Sequence, residues 1–267
     1  MINNIKLASY NVWNLFDKVD DPLKSDGPPK KENEMIGIAD ILSKSNADIV
    51  ALQEVENKDI LNDLLKIASL DKKYNVIVGK SDDRGIATAL LIDKKFKIKS
   101  YSINENNTNF KRPPVEAIVE LSPGFEVKVY SVHLKSKRGG VESDTQRQKE
   151  AQNLVNMASN SKVPTILMGD FNDLPNSTVI RTIENNNFQD VRKLDKLSEE
   201  TKYPTHFGKH VSTLDYIFVS PELQDKVVQN SFNVVGNKEN PIASKVSDHR
   251  LIEVQLNLKQ AIQKALE

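Results

Sequence analysis

The chain contains no cysteine, which excludes disulfides, thiol nucleophiles and thiolate zinc sites. It lacks any uninterrupted apolar run near the ~20 residues of a membrane-spanning helix, and it has no aromatic-rich hairpin for lipid contact, so no membrane partner is expected. It also lacks an excess of charge. Its 37 Lys and Arg balance 37 Asp and Glu, so a polyanionic partner would have to meet a local basic patch rather than bulk charge. The N-terminus has no charged-then-apolar signal layout. A cytoplasmic location is therefore expected for the chain as written, and secretion if it is the processed form of a longer precursor. No fixed-period repeat, low-complexity tract or Ser/Gly/Pro linker divides it, and residues 1–267 read as a single domain.

What is present is ample for a core: 38% of 267 residues are hydrophobic, the composition of a globular protein rather than a disordered one. Short apolar runs predict strands over 5–12, 48–55, 74–78, 86–92, 96–102, 115–121, 125–133, 163–168, 214–219 and 251–256. Helical spacing predicts helices over 34–42, 60–68 and 144–158, a shorter one over 177–184 and a helical tail over 260–266. Residues 22–31 read as an exposed Pro/Gly/Lys loop, and 189–210 as polar and irregular. So many strands do not fit a purely wound α/β order. The expected fold is α+β: four layers, with two packed mixed β-sheets flanked by helices.

Polar residues stand where apolar runs end. Thr165-Ile166-Leu167-Met168 runs into Gly169-Asp170-Phe171-Asn172-Asp173. Strand alternation would let Asp170 and Asn172 face one way while Phe171 turns into the core; the plain alternative is a turn. Asn11, Gln53-Glu54, His133 and Asp215 occupy comparable positions, and Ser247-Asp248-His249 precedes the last strand. Each has an ordinary reading too, as a strand terminator, a core histidine or a charged loop. Glu54 resists it most, because carboxylates are rarely buried without a partner. If these ends converge, they make an oxygen-rich cleft with two imidazoles. That donor set suits Mg²⁺, or Mn²⁺, better than zinc. A divalent cation beside a His and paired carboxylates can polarise a phosphoryl oxygen, while a His–Asp couple can deprotonate water. The chemistry suggested is metal-assisted hydrolysis of a phosphate ester.

In that order, Ser9-Tyr10-Asn11, Leu52-Gln53-Glu54, Ser131-Val132-His133-Leu134, Met168-Gly169-Asp170-Phe171-Asn172, Leu214-Asp215-Tyr216-Ile217 and Ser247-Asp248-His249 resemble the endonuclease/exonuclease/phosphatase superfamily, the deoxyribonuclease I-like fold. Five stretches look like its bacterial secreted-nuclease branch: 11–17, 83–87, 112–117, 133–137, and Arg147 with Glu150-Ala151. The resemblance implies a site at the strand ends, with Glu54 as principal metal ligand helped by Asn11 and Asp248. It implies His249 paired with Asp215 as general base or phosphate-binding couple, Asp170 orienting the attacking water, Asn172 holding a phosphate oxygen and His133 binding phosphate or acting as an acid. Arg84, Arg112 and Lys135 flank the motif loops and are expected to contact substrate phosphates without reading bases; His206 and His210 are expected at the surface or the substrate's edge. The expected function is a divalent-metal phosphodiesterase acting on nucleic acid, most naturally a DNA endonuclease of low sequence specificity. The alternatives are a hydrolase of a small phosphate ester, such as an inositol phosphate or sphingomyelin, and a non-catalytic module on the same fold. Nothing points to an obligate protein partner, and a monomer is expected.

Overall fold

A computed structural model describes residues 4–195, 203–236 and 243–259. Its strands are β1 (Asn4–Leu15), β2 (Ile49–Val55), β3 (Tyr74–Val78), β4 (Ala87–Asp93), β5 (Lys97–Ser102), β6 (Val115–Ser122), β7 (Phe125–His133), β8 (Thr165–Asp170), β9 (Gln189–Asp190), β10 (His206–Phe207), β11 (Val211–Ser212), β12 (Asp215–Val219), β13 (Asn233–Val235) and β14 (Leu251–Asn257). The longer helices are α1 (Glu32–Ser45), α2 (Lys58–Ile67), α3 (Gly140–Ser159) and α4 (Thr178–Glu184). One-turn pieces are α5 (Val191–Leu194), α6 (Pro221–Gln224) and α7 (Ala243–Val246). The helix expected over 144–158 thus begins four residues earlier. The irregular 189–210 stretch contributes two short strands and a helical turn, and β13 had no expected counterpart. The tail expected over 260–266 lies outside the described residues.

The strands form two six-stranded sheets, β13-β14-β1-β2-β4-β3 and β9-β12-β8-β7-β6-β5, with β10 and β11 as a small separate pair. Both large sheets follow one plan. Each has a single parallel pair at its centre, β1 with β2 and β7 with β8, and every other neighbour is antiparallel.

Burial explains the layering. β6 alternates buried and half-buried residues along its whole length, the period of a strand with one face inward. β2, β8 and β12 are buried throughout, because helices cover their second face. Between the sheets lies a core that includes Ile49, Leu90, Val129, Ile166, Ile217 and Val254. Ile38 and Leu42 of α1 and Leu61 and Leu64 of α2 pack on the outer face of the first sheet, against Tyr10, Leu52 and Leu91. Leu154 and Val155 of α3 and Ile180 and Ile183 of α4 cover the second, against Tyr130, Leu167 and Phe218. The result is the expected four layers, helix–sheet–sheet–helix.

This arrangement brings the polar strand ends to one rim. In the second sheet His133 pairs in register with Asp170, and Asp170 with Asp215. In the first sheet Asn11 stands opposite Gln53, the neighbour of Glu54.

Candidate active site

Asp170 is the hub, buried with its Oδ2 ringed by nitrogen. Asn11 Nδ2 donates to it at 3.1 Å and Asn172 Nδ2 at 3.2 Å. His133 Nε2 lies 3.6 Å away and His249 Nε2 3.7 Å. Its second oxygen accepts the Asn172 backbone N–H at 2.8 Å.

The local fold explains the position. An added Cβ on Gly169 would lie 1.9 Å from the Val132 carbonyl oxygen, so only glycine lets β7 and β8 close up where His133 meets Asp170. Phe171 is fully buried, edge-on to Tyr216 at 5.7 Å and Phe218 at 5.1 Å. Aromatic pairs of this geometry contribute about 0.5–1.5 kcal/mol each beyond buried area, and they pin the residue after Asp170. The strand ends at Asp170, and Asn172 is left-handed at φ 52°. Asp170 and Asn172 therefore meet through a turn, not through the strand alternation expected of them. Asn172 also donates to the Leu134 carbonyl at 3.0 Å.

On the opposite side stands a dyad. His249 Nδ1 is 2.8 Å from Asp215 Oδ2, which also accepts the Thr205 hydroxyl at 2.6 Å. Burial alone would lower the His249 pKa, but the Asp215 and Asp170 carboxylates outweigh it and raise the pKa to about 10. Burial and the Asp215 charge raise that of Asp170 to about 7, although His249 and its hydrogen bonds oppose the shift. His133 goes the other way: burial, with the positive Arg112 beside it, holds it well below the ordinary histidine value. Two imidazoles at equal reach of one carboxylate are thus held in opposite charge states, a division suited to separate roles.

The first sheet supplies the acidic side. Glu54 has φ 63°, and Trp13 and Asn14 of the facing strand have φ 51° and 53°. These side-chain-bearing residues sit where the β1–β2 register shifts, at a cost of order 1–3 kcal/mol each. The side chains offset part of it: Asn14 N–H donates to Glu54 Oε2 at 2.9 Å and Trp13 N–H to Asn11 Oδ1 at 3.0 Å. The bulge brings Glu54 Oε1 to 3.5 Å from Asn11 Nδ2 and 4.0 Å from His133 Nε2. Asp248, the third expected metal residue, turns toward His206, whose Nε2 is 3.6 Å away. The His206 contact and the His249 charge hold the Asp248 carboxyl below the usual range although burial opposes them. Asp248 Oδ1 is buried with no hydrogen-bond partner. Carboxylate and carboxamide oxygens with one such orphan fit a hard divalent cation; Glu54 lies against Asn11, whereas Asp248 clusters with His206 and His249.

The cationic residues divide. Arg84 is exposed and donates to Asn14 Oδ1 at 2.8 Å. Lys135 is half-buried with its ammonium on the Arg138 carbonyl. Arg112 is buried, 2.9 Å from Asp82, and donates to the carbonyls of His133 and Leu134, so it braces the His133 turn from behind.

Three positions escaped the sequence reading, and a fourth, His206, was read only as a surface or substrate-edge residue. Thr205 fixes the dyad. His206, expected at an edge, lies with its ring 4.8 Å from that of His249. Arg250 is buried and donates to the carbonyls of Ser247 and His249. Lys30 reaches in from the 22–31 loop to the carbonyls of Val12, Trp13 and Val246 at 3.1, 2.6 and 2.9 Å, and burial lowers its pKa to about 8. The only sequence signal for Lys30 is the Pro28-Pro29 pair that stiffens its approach.

Residues 8–249 match the profile of the Endonuclease/Exonuclease/phosphatase family. The chain belongs to that family. No curated protein sequence matches it, but solved structures do. A family protein from Bacteroides thetaiotaomicron is 17% identical, with a TM-score of 0.69 over 95% of this chain and 97% of that one. One from Leptotrichia buccalis is 20% identical, with a TM-score of 0.65 over 95% and 99%. A humanized D. rerio TDP2 is 21% identical, with a TM-score of 0.67 over 95% and 99%. Family members are metal-dependent phosphoester hydrolases, so this chain is an enzyme of that class with a nuclease-like fold. The family uses a divalent metal.

Proposed function

We propose that the enzyme is a Mg²⁺-dependent phosphodiesterase that cleaves nucleic acid, acting as a DNA endonuclease with little sequence preference. The observation that carries this reading is the ring of groups around Asp170: a backed imidazolium on one side, a neutral imidazole on the other, and Glu54 with Asn11 across from them. Mg²⁺, which Glu54, Asn11 and Asp248 would hold, would supply charge stabilisation to the reacting phosphoryl group. The protein groups do the rest. His249, backed by Asp215 and Thr205, offers a charge-assisted N–H to a non-bridging phosphate oxygen. Asp170 orients the attacking water and takes its proton as the water oxygen bonds to phosphorus and the ester P–O bond breaks, its electron pair leaving on the ester oxygen, which is protonated by solvent. Asn11 and Asn172 fix the carboxylate by their amide donors, and neutral His133 hydrogen-bonds a second phosphate oxygen. Arg84 and Lys135 at the rim position the backbone without reading bases, which favours low sequence specificity.

Supercoiled plasmid, RNA and inositol phosphates, each incubated with Mg²⁺, Mn²⁺ or EDTA, test the reading. Plasmid nicking that disappears with EDTA and in Glu54→Ala is the expected result. Phosphate release from inositol phosphates with the plasmid left intact would replace nucleic acid by a small ester as substrate. A folded wild-type protein inert on all three with either metal would end the catalytic assignment.

A further inference from the structure

Beside His133, the loop joining β3 to β4 and the loop joining β5 to β6 enclose a cleft of about 610 Å³. Its floor is fixed. Asp82 accepts the backbone N–H groups of Arg84 and Ile86 through one oxygen and the Arg112 guanidinium through the other. Arg112 in turn holds the carbonyls of His133 and Leu134, so cleft and catalytic residues share one rigid wall. With Arg112 neutralised by Asp82, the remaining cations on the lining are Lys24, Lys80, Arg84, Lys111 and Lys135, against the carboxylates of Asp83 and Glu105. The Lys24 and Lys135 ammonium groups rest on carbonyls, and Arg84 on Asn14. Lys80 and Lys111 are exposed, and among the described residues their ammonium groups have neither a hydrogen bond nor an ion pair.

These two uncommitted cations stand over a braced, charge-paired floor whose Arg112 also holds the carbonyls of His133 and Leu134. The one aromatic residue on the lining, Phe110, is buried, so the cleft offers no stacking platform for a base. Its volume is that of a small-ligand site, not of a surface that tracks a duplex. Anionic oxygen is what this lining can recognise. Resting on the phosphodiesterase reading above, we infer that the cleft is a second phosphate subsite: Lys80 and Lys111 hold a phosphate of the substrate other than the one being cleaved. The enzyme then prefers substrates that carry two phosphates in reach of each other, supplied either by a nucleic-acid strand or by a small polyphosphate ester.

The test compares wild type with the Lys80→Ala/Lys111→Ala double variant on matched pairs. One pair is a thymidine dinucleotide with and without a terminal phosphate, at either the 5′ or the 3′ end. The other is an inositol bisphosphate and the corresponding monophosphate. The expected result is a roughly tenfold higher kcat/KM for the doubly phosphorylated member, expressed in KM, as charge-assisted phosphate contacts would give. That ratio should fall toward one in the double variant, and the pair that shows it names the source of the second phosphate. A ratio unchanged between wild type and variant in both pairs overturns the subsite. If wild type with Mg²⁺ or Mn²⁺ hydrolyses neither pair, plasmid nicking decides separately whether the phosphodiesterase reading stands. The subsite is then decided by calorimetric titration of the same dinucleotides in EDTA. Tighter binding of the phosphorylated dinucleotide that is lost in the variant supports it; equal affinities overturn it.

Discussion

Asp215→Asn in the metal-free enzyme is the sharpest test of the dyad. Asp215 is completely buried and faces His249 at 2.8 Å. His249 titrates near 6.5 when unfolded and at about 10 in the fold. A folded pKa above the unfolded one gives stability that is whole below pH 6.5 and is lost as pH rises to 10. At ~1.4 kcal/mol per unit, the whole shift is worth on the order of 5 kcal/mol at pH 6, supplied by Asp215 first and Asp170 second, and it falls as pH rises across that window. Asparagine keeps an acceptor for Thr205 but removes the charge, so Asp215's share of this pH-dependent part disappears. It also relieves the cost of burying the carboxylate, an offset separate from the imidazole's titration. The slope is therefore diagnostic and the intercept is not. Urea unfolding of both proteins in EDTA at pH 6, 7, 8 and 9 should show the wild-type advantage shrinking steadily as pH rises. An advantage that stays constant over those three pH units would refute the imidazolium–carboxylate pair.

Three other outcomes follow from the same geometry. Glu54→Gln should abolish turnover and also the rise in unfolding temperature on adding Mg²⁺, a gain of ~2.7 kcal/mol at one hundred times the dissociation constant; a variant that still gains stability from Mg²⁺ would remove Glu54 from the metal site. Arg112→Ala takes the cation from a half-buried Asp82 and the donors from the His133 and Leu134 carbonyls and should cost roughly 1–3 kcal/mol, read by urea unfolding, with a loss under ~1 kcal/mol contradicting the bracing role. Gly169→Ala drives a methyl group into the Val132 backbone, and a shift of that kind should cost several kcal/mol and displace His133 from Asp170; a soluble variant with wild-type activity and stability would show that the strands can part without cost.

The strand ends were legible because buried parallel pairs leave long apolar runs, and a polar residue closing such a run stands out. Their convergence became readable only through six motifs in one order. What stayed hidden depends on partners far along the chain. Lys30 meets Val246 across more than two hundred residues, and nothing near Lys30 marks it as other than a loop lysine. Thr205 lies in a polar stretch with no periodicity, yet its hydroxyl meets a fully buried carboxylate. The left-handed backbone at Glu54 was invisible for a different reason: glutamate is not a residue that advertises such a conformation, and only the pairing of β1 with β2 forces it. Arg112 was legible as a cation near the site, but burial, which decides what its guanidinium does, is a tertiary property.

The shared plan of the two sheets carries a consequence for how the chemistry is distributed. The half built on β1, β2 and β14 contributes Asn11, Glu54 and, just before β14, His249; the half built on β7, β8 and β12 contributes His133, Asp170 and Asp215. Neither half is a site by itself, since the contact of His249 with Asp215 joins a residue from each. The apolar layer between the sheets, from Ile49 to Val129 and Ile166, is thus the gauge that sets the reach of that pair, and a lesion deep in the core should be felt at the rim.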